Sequence, residues 1–439
     1  MRTTKRFGKM AAVAAVLITG LFSSTAAEDH PLQWWHAPGL DRLIQETLSR
    51  NNELQGLQAK VNSLKSEVPF AGSLEDPKLS LGVLNLPVDT FSFDQEPMTQ
   101  KLVALSQKFP WFGKLDLRTQ QAVIKALRQK ALLEAKKLEI ARQVATDYFE
   151  LAFVDRSLDI NNRLFEIVKQ LLRVTETRYA TGQGLQQDVL QAQVELSSLT
   201  DEKIELRKMR RTLEDRINGL MNHETFSSVE PEVVVYTDEI LKTEELLQAA
   251  LQDNPWLKVR QAEIDLADLE VELAKKDYWP DMDVRVAYGQ REEDLNGRSL
   301  PDFFSATVTV NLPVWGKKRQ GSKLASAKEE HQAAVKAYRN AISQLPYQLN
   351  ALLTEINDTQ SNYQLYTKGL LLQADHWSQA ATSAYEVGKV EFNTMMTAQL
   401  KLLRFEQKAL RYRKTVLQKR AELGELSGTL LPKTMGDKP

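Results

Sequence analysis

The chain has no cysteine among its 439 residues. That excludes disulfides, thiolate metal sites and an acylated N-terminal cysteine of the lipoprotein kind. An excess of charge of one sign is missing too. Fifty-seven Lys and Arg stand against 58 Asp and Glu, interspersed along the chain, which gives no footing for a nucleic-acid partner. Glycine is sparse at 19 residues, which suits long helices better than glycine-punctuated α/β layers. The five histidines (His30, His36, His223, His331 and His376) are scattered without ligand spacing. There is no HExxH, nucleophile elbow or phosphate loop, and the pair Glu292 and Glu293 lies in a polar loop. No catalytic residue, cofactor site or metal site is therefore assigned, and an enzyme is not expected. After the N-terminus no apolar run approaches the ~18 residues of a membrane-crossing helix, so membrane contact falls to strands.

What is there begins with an export signal. Arg2, Lys5, Arg6 and Lys9 precede an apolar run from Met10 to Phe22 and the small residues Ser23 to Ala27. Residues 1–27 are expected to be a cleaved signal peptide, too short in its apolar part to span a bilayer.

The mature sequence then repeats itself. Phe109-Pro110-Trp111-Phe112-Gly113-Lys114 is answered by Leu312-Pro313-Val314-Trp315-Gly316-Lys317, with Pro110 and Pro313 standing 203 positions apart. Pro77 returns as Pro280 and Asn51 as Asn254 at the same shift. Arg178-Tyr179-Ala180-Thr181-Gly182 is echoed by Ala384-Tyr385-Glu386-Val387-Gly388. Two copies of one unit are expected. Residues 28–222 hold a helix, a β-hairpin 77–109, a long helix 115–179, a tip turn and a helix 186–221. Residues 240–430 hold a helix, a hairpin 280–312, a long helix 317–385, a tip turn and a helix 393–426. The segment 223–239 reads as a linker on the outside of the bundle, and 431–439 as a flexible tail.

In the second hairpin Met282, Val284, Val286 and Tyr288 alternate with Asp281, Asp283, Arg285 and Ala287, and Phe304, Ala306, Val308, Val310 and Leu312 alternate with polar neighbours. Period two with one apolar face marks half-buried strands about ten residues long, flanked by Trp111, Trp315, Trp279 and Tyr278, aromatics suited to a bilayer interface. In the first long helix Val144, Leu151, Leu158, Phe165 and Leu172 recur every seven residues, and Pro346 predicts a bend in the second. Lipid tolerates no open sheet edge, and four strands cannot close alone, since barrels start at about eight. Several copies must therefore combine.

These residues resemble the TolC-type outer-membrane factors, and the stretches Asp76 to Pro87 and Met98 to Gln107 look most like the heavy-metal branch of CusC and CzcC. The duplicated strand ends Pro110, Gly113, Lys114 and Pro313, Gly316, Lys317 and the turn from Arg178 to Ala192 carry the likeness, which covers nearly the whole mature chain. The resemblance implies a mainly α fold with a small β part. It consists of a two-fold internal repeat of long coiled-coil helical hairpins (an α-barrel tunnel) plus four transmembrane β-strands per chain in an oligomeric 12-stranded β-barrel. It implies a homotrimer in outer-membrane lipid with the tunnel in the periplasm. The trimer would be a passive exit duct docking to a periplasmic adaptor and to an inner-membrane pump of the resistance-nodulation-division or ABC class. Heavy-metal cations are the implied cargo; type I secretion or drug efflux, or an exported coiled-coil scaffold or adhesin, are the alternatives.

By position, the resemblance puts adaptor docking and the periplasmic gate at Arg178, Tyr179, Gly182, Gly184, Leu185, Asp188 and Val189, and at Tyr385, Gly388, Lys389, Val390, Phe392 and Asn393. Arg178 and Asp188, on opposite limbs of one turn, are close enough to pair within or between subunits. Many members carry acids on the inner tip. Here Thr394 matches Asp188, so an acid ring would have to come from Asp188 or Glu391, and Met395 and Met396 read as an apolar plug in preference to a soft-metal contact.

Overall fold

The computed structural model describes residues 34–223, 227–232, 234 and 242–431. The expected signal peptide, most of the linker and all but the first residue of the tail lie outside them. Helices α1 (Pro38–Arg50) and α2 (Asn52–Ala71) lead to strands β1 (Lys78–Leu84) and β2 (Gln100–Phe109), then to α3 (Lys114–Ala180) and α4 (Gln186–Leu220). The order is then taken up again by α5 (Thr243–Asp253), α6 (Pro255–Lys276), β3 (Met282–Gln290), β4 (Phe303–Val310) and α7 (Arg319–Leu365). A π turn, Tyr366–Leu370, joins α7 to α8 (Leu371–Glu386), and α9 (Phe392–Ser427) follows.

Each short leading helix is broken from the next by a buried asparagine. Asn51 Oδ1 accepts from Leu54 N–H at 3.1 Å, capping α2, while its Nδ2 donates to the Leu220 carbonyl at the end of α4. Asn254 accepts from Trp256 N–H and donates to the Leu426 carbonyl near the end of α9, both at 2.8 Å. One side chain thus satisfies orphan groups at the ends of two helices.

At ~1.5 Å per residue, α3 with its 67 residues is about 100 Å long. It packs against α2, α4, α6 and α9, so the stripe it buries is broader than a single seam. Of the expected heptad, Val144 and Leu151 are fully buried, whereas Leu158, Phe165 and Leu172 are half-buried. The deeper register at spacing seven is Leu133, Ile140, Val154, Asn161, Val168 and Thr175, interrupted only at the half-buried Asp147. Pro346 does not interrupt α7. Leu345 and Leu349 are buried on either side of it, and the hydrogen-bond pattern changes only twenty residues later, at the π turn. There Tyr366 meets Phe405 edge-on at 5.4 Å and Tyr412 at 5.4 Å.

The strands form one antiparallel sheet in the order β1-β2-β3-β4. Its registers align one face across all four strands: Leu81 lies opposite Val103, Val103 opposite Tyr288, and Tyr288 opposite Phe304. A second row runs Leu79, Leu105, Val286, Ala306. Apart from Lys101 and Gln290 at the loop end and Gln107 near the helix end, this face is apolar, and it is uncovered, with Leu81 74 % and Val308 60 % exposed. The outer edges of β1 and β4 have no strand partner among the described residues.

Candidate functional site

Two ends of the molecule carry the chemistry. At the far end of α3 the chain reverses into α4 through a left-handed glycine. Gly182 has φ +72°, its N–H donates to the Tyr179 carbonyl at 3.0 Å, and Gln183 N–H donates to the Arg178 carbonyl at 2.8 Å. The second tip is built the same way. Gly388 has φ +73° and donates to the Tyr385 carbonyl, and Lys389 donates to the Ala384 carbonyl. Paired six-to-one and five-to-two bonds are the Schellman closure, which requires a residue without a Cβ penalty at the left-handed position.

The first tip has a second constraint. A Cβ on Gly184 would stand 3.0 Å from Arg178 Cβ and 3.1 Å from the Tyr179 nitrogen, so the descending limb lies directly on the ascending one. Leu185 follows with 65 % exposure and Tyr179 is also exposed, whereas Asp188, in the first turn of α4, and Val189 are half-buried. An acid in that turn complements the positive end of the helix.

The two tips are tied to each other. The Arg178 guanidinium lies over the Tyr385 ring, 4.7 Å from its centroid, and Gln191 Nε2 donates to Asn393 Oδ1 at 2.9 Å. Within the chain Arg178 and Asp188 do not pair. Arg178 turns away to the aromatic face of the other hairpin, where a buried ring offers a better-desolvated partner than a half-exposed carboxylate. Tyr385 packs edge-on against Phe392 at 6.0 Å. Both sit in one apolar cluster with Met395, Met396, Val168 and Leu199, against which Val390 packs. The methionines expected to plug a lumen are thus part of the core between hairpins, because helical spacing from Phe392 turns them inward. Lys389, Gly388 and Asn393 are exposed.

At the other end, Gly113 (φ +81°) opens α3, and Lys114 behind it is only 5 % exposed. Its ammonium bonds Asp281 at 2.9 Å and Asp277 at 3.2 Å. Trp111 N–H donates to the same Asp281 oxygen, and the Trp111 and Trp279 rings stack at 5.0 Å. Burial alone would raise both carboxyls. For Asp281 the Trp111 N–H and Lys114 outweigh it, and for Asp277 Lys323 and Lys114 do, so both are held below the usual range. Pro110 precedes this junction. The matching residues differ: Pro313 and Gly316 make a turn before α7, with Gly316 N–H donating to the Pro313 carbonyl, and Lys317 is exposed. A lysine buried behind a strand-end glycine needs a carboxylate nearby, and Asp277 and Asp281 were the residues to look for.

The outer membrane efflux protein family matches this chain over residues 43–223 and 246–429. The chain belongs to that family. Its family is one of channels and transport ducts, not of enzymes. The cobalt-zinc-cadmium resistance protein CzcC of Cupriavidus metallidurans is 21 % identical over 300 residues, 68 % of this chain and 69 % of the relative. Toxin and drug export protein A of Aggregatibacter actinomycetemcomitans is 19 % identical over 347 residues, 76 % of this chain and 73 % of the relative. An uncharacterized Haemophilus influenzae protein is matched at 19 % over 264 residues, 58 % of this chain, which spans 55 % of that relative's length. Among solved structures, the channel CusC superposes with a TM-score of 0.77 at 16 % identity, covering 90 % of this chain and 93 % of CusC. The efflux family fold is therefore present from the leading helices to the end of α9.

Proposed function

We propose that the chain is one subunit of an outer-membrane channel-tunnel, and that three copies close a twelve-stranded barrel above a helical tube. The observation that carries this reading is the sheet. Four strands present a continuous uncovered apolar face and two open edges at one end of a helix about 100 Å long. In water such edges and such a face invite aggregation; in lipid they are tolerated once neighbouring copies pair the edges. The shift of 203 residues between the halves makes β4 the counterpart of β2 and β1 that of β3, so β4 would meet β1 of the next copy as β2 meets β3 within the chain.

In this reading the loops 85–99 and 291–302 face the cell exterior and the two tips face the periplasm. There they would serve as gate and as docking surface for a periplasmic adaptor linked to an inner-membrane pump of the resistance-nodulation-division or ABC class. The signal peptide would deliver the chain, and no lipid anchor would hold it. The likeness to CzcC favours heavy-metal cations as cargo, and the likeness to a toxin and drug export protein supports a second reading, secretion or drug efflux. No group of three or more His, Cys, Asp or Glu able to hold a metal occurs among the described residues.

The test uses the absence of native cysteine. Single cysteines at Gln183 and Asn296 are labelled on whole cells with an impermeant maleimide, and the detergent-extracted protein is weighed. Labelling at Asn296 alone and the mass of three chains are expected; a water-soluble monomer, or labelling at Gln183 alone, refutes the assignment.

A further inference from the structure

The face of the sheet opposite the apolar one is crowded at its centre. Ala104 and Ala287, opposite each other, are buried, and a Cβ on Gly289 would collide with the Gln100 side chain. If the apolar face meets lipid, this face lines the water-filled barrel, and its charges meet whatever passes.

The registers arrange those charges in rows. Lys78 lies opposite Ser106, Ser106 opposite Arg285, and Arg285 opposite Thr307. This row holds two cations and no acid. The row toward the helices is not cationic, since Lys108 lies opposite Asp283 and also bonds Glu75 at 3.3 Å, which leaves one more acid than base there. The rows toward the loops, Ser80-Ala104-Ala287-Ser305 and Gly82-Leu102-Gly289-Phe303, are uncharged. Lys78 and Arg285 are exposed, and neither joins an ion pair among the described residues. Two strands apart, their backbones are about 10 Å from each other, close to the screening length at physiological salt. A low-dielectric wall around a narrow water column concentrates the field of such charges on mobile ions.

We propose that Lys78 and Arg285 form a cationic band on the inner wall of the barrel and make this section of the duct favour anions over cations. The proposal rests on the reading of the sheet as one third of a closed barrel, where three copies bring six such charges to one band. The band discriminates ions already in the barrel. It repels cations entering from the loop side and leaves efflux of a metal ion to the drive of the pump.

Purified protein is inserted in planar bilayers under a KCl gradient and the reversal potential is read. Chloride is expected to permeate better than potassium. The Lys78→Gln/Arg285→Gln double variant is expected to move the potential toward potassium, each single variant to move it part of the way, and Lys78→Glu/Arg285→Glu to invert the preference. Inositol hexakisphosphate added on the loop side is expected to block the wild-type current and to spare the double-glutamine variant. A potassium preference in the wild type, or reversal potentials unchanged by the single glutamine variants, overturns the band. Wild-type protein that extracts as a monomer and gives no conductance overturns the barrel reading instead.

Discussion

The Arg178 guanidinium rests 4.7 Å from the centroid of the Tyr385 ring, joining the turn of one helical hairpin to the turn of the other. Tyr385 is itself held by Phe392 and the buried methionines, so the ring is a fixed platform and the arginine is the movable part. Cation–π contacts of this kind contribute roughly 0.5 to 2 kcal/mol according to exposure. Arg178→Ala is expected to loosen the tips, raising single-channel conductance in planar bilayers while leaving trimer yield unchanged. Arg178→Lys should lie between. Unchanged conductance in the alanine variant would show that this contact does not hold the tips together.

Gly184 tests a different property of the first tip. Its missing side chain lets the chain lie against Arg178 and Tyr179, and an added Cβ would need a neighbour to give by a few tenths of an ångström. Gly184→Ala is expected to open the turn slightly, at a cost of about 1 kcal/mol. Gly184→Glu adds a charge beside the exposed Leu185 and is expected to abolish export in cells while the trimer still forms. Full export by the glutamate variant would remove this tip from the docking surface.

The larger elements were legible in the sequence because their signals are physical and local. The alternation from Met282 to Tyr288 is the alternation that the sheet uses, and Gly182 and Gly388 occupy the left-handed positions their turns require. Seven-residue spacing from Val144 located the long helix but misplaced its deeper seam, since a helix packed on several sides buries more than one stripe. The helices α1 and α5 escaped notice; only the asparagines that separate them from α2 and α6 hinted at them. The partner of Arg178 could not be read at all. Asp188 is ten residues away in the chain and Tyr385 is 207, so charge complementarity pointed to the local acid and tertiary packing chose the distant ring.

Val308 and Thr307 are neighbours on β4 with opposite surroundings: Val308 faces Val284 on the apolar side, and Thr307 faces Arg285 on the polar side. Val308→Arg is expected to destabilise the assembled barrel by roughly 2 to 4 kcal/mol per subunit near the bilayer midplane. Thr307→Arg should cost much less, because its side chain would enter water. The yield of the proposed trimer in membranes, quantified on gels of unboiled samples, reports the difference. Equal yields would mean that these strands do not cross lipid.

The junction around Lys114 predicts a dependence on acid. Asp277 and Asp281 are held below the ordinary carboxylate range despite burial, which alone would raise them, because Lys323, Lys114 and the Trp111 N–H favour their charged forms. In the unfolded chain an aspartate titrates near ~3.9. Above that value both states are ionised and the full contribution to stability is present. Below it the unfolded chain takes up protons that the folded one refuses, so the contribution shrinks as pH falls and is lost through the folded values, below about pH 4. Burial raises Asp147, Asp155 and Glu425 instead, and these act in the opposite sense, so the total curve is not diagnostic. The comparison of wild type with Asp281→Asn is diagnostic, because the amide keeps an acceptor for Trp111 and loses only the charge. The variant is expected to be less stable by about 1 to 2 kcal/mol at pH 7, in the range for hydrogen bonds to charged groups, with the gap closing toward pH 3. Thermal unfolding in detergent at the two pH values measures it, and a gap of equal size at both would show that the Asp281 charge adds nothing to the fold.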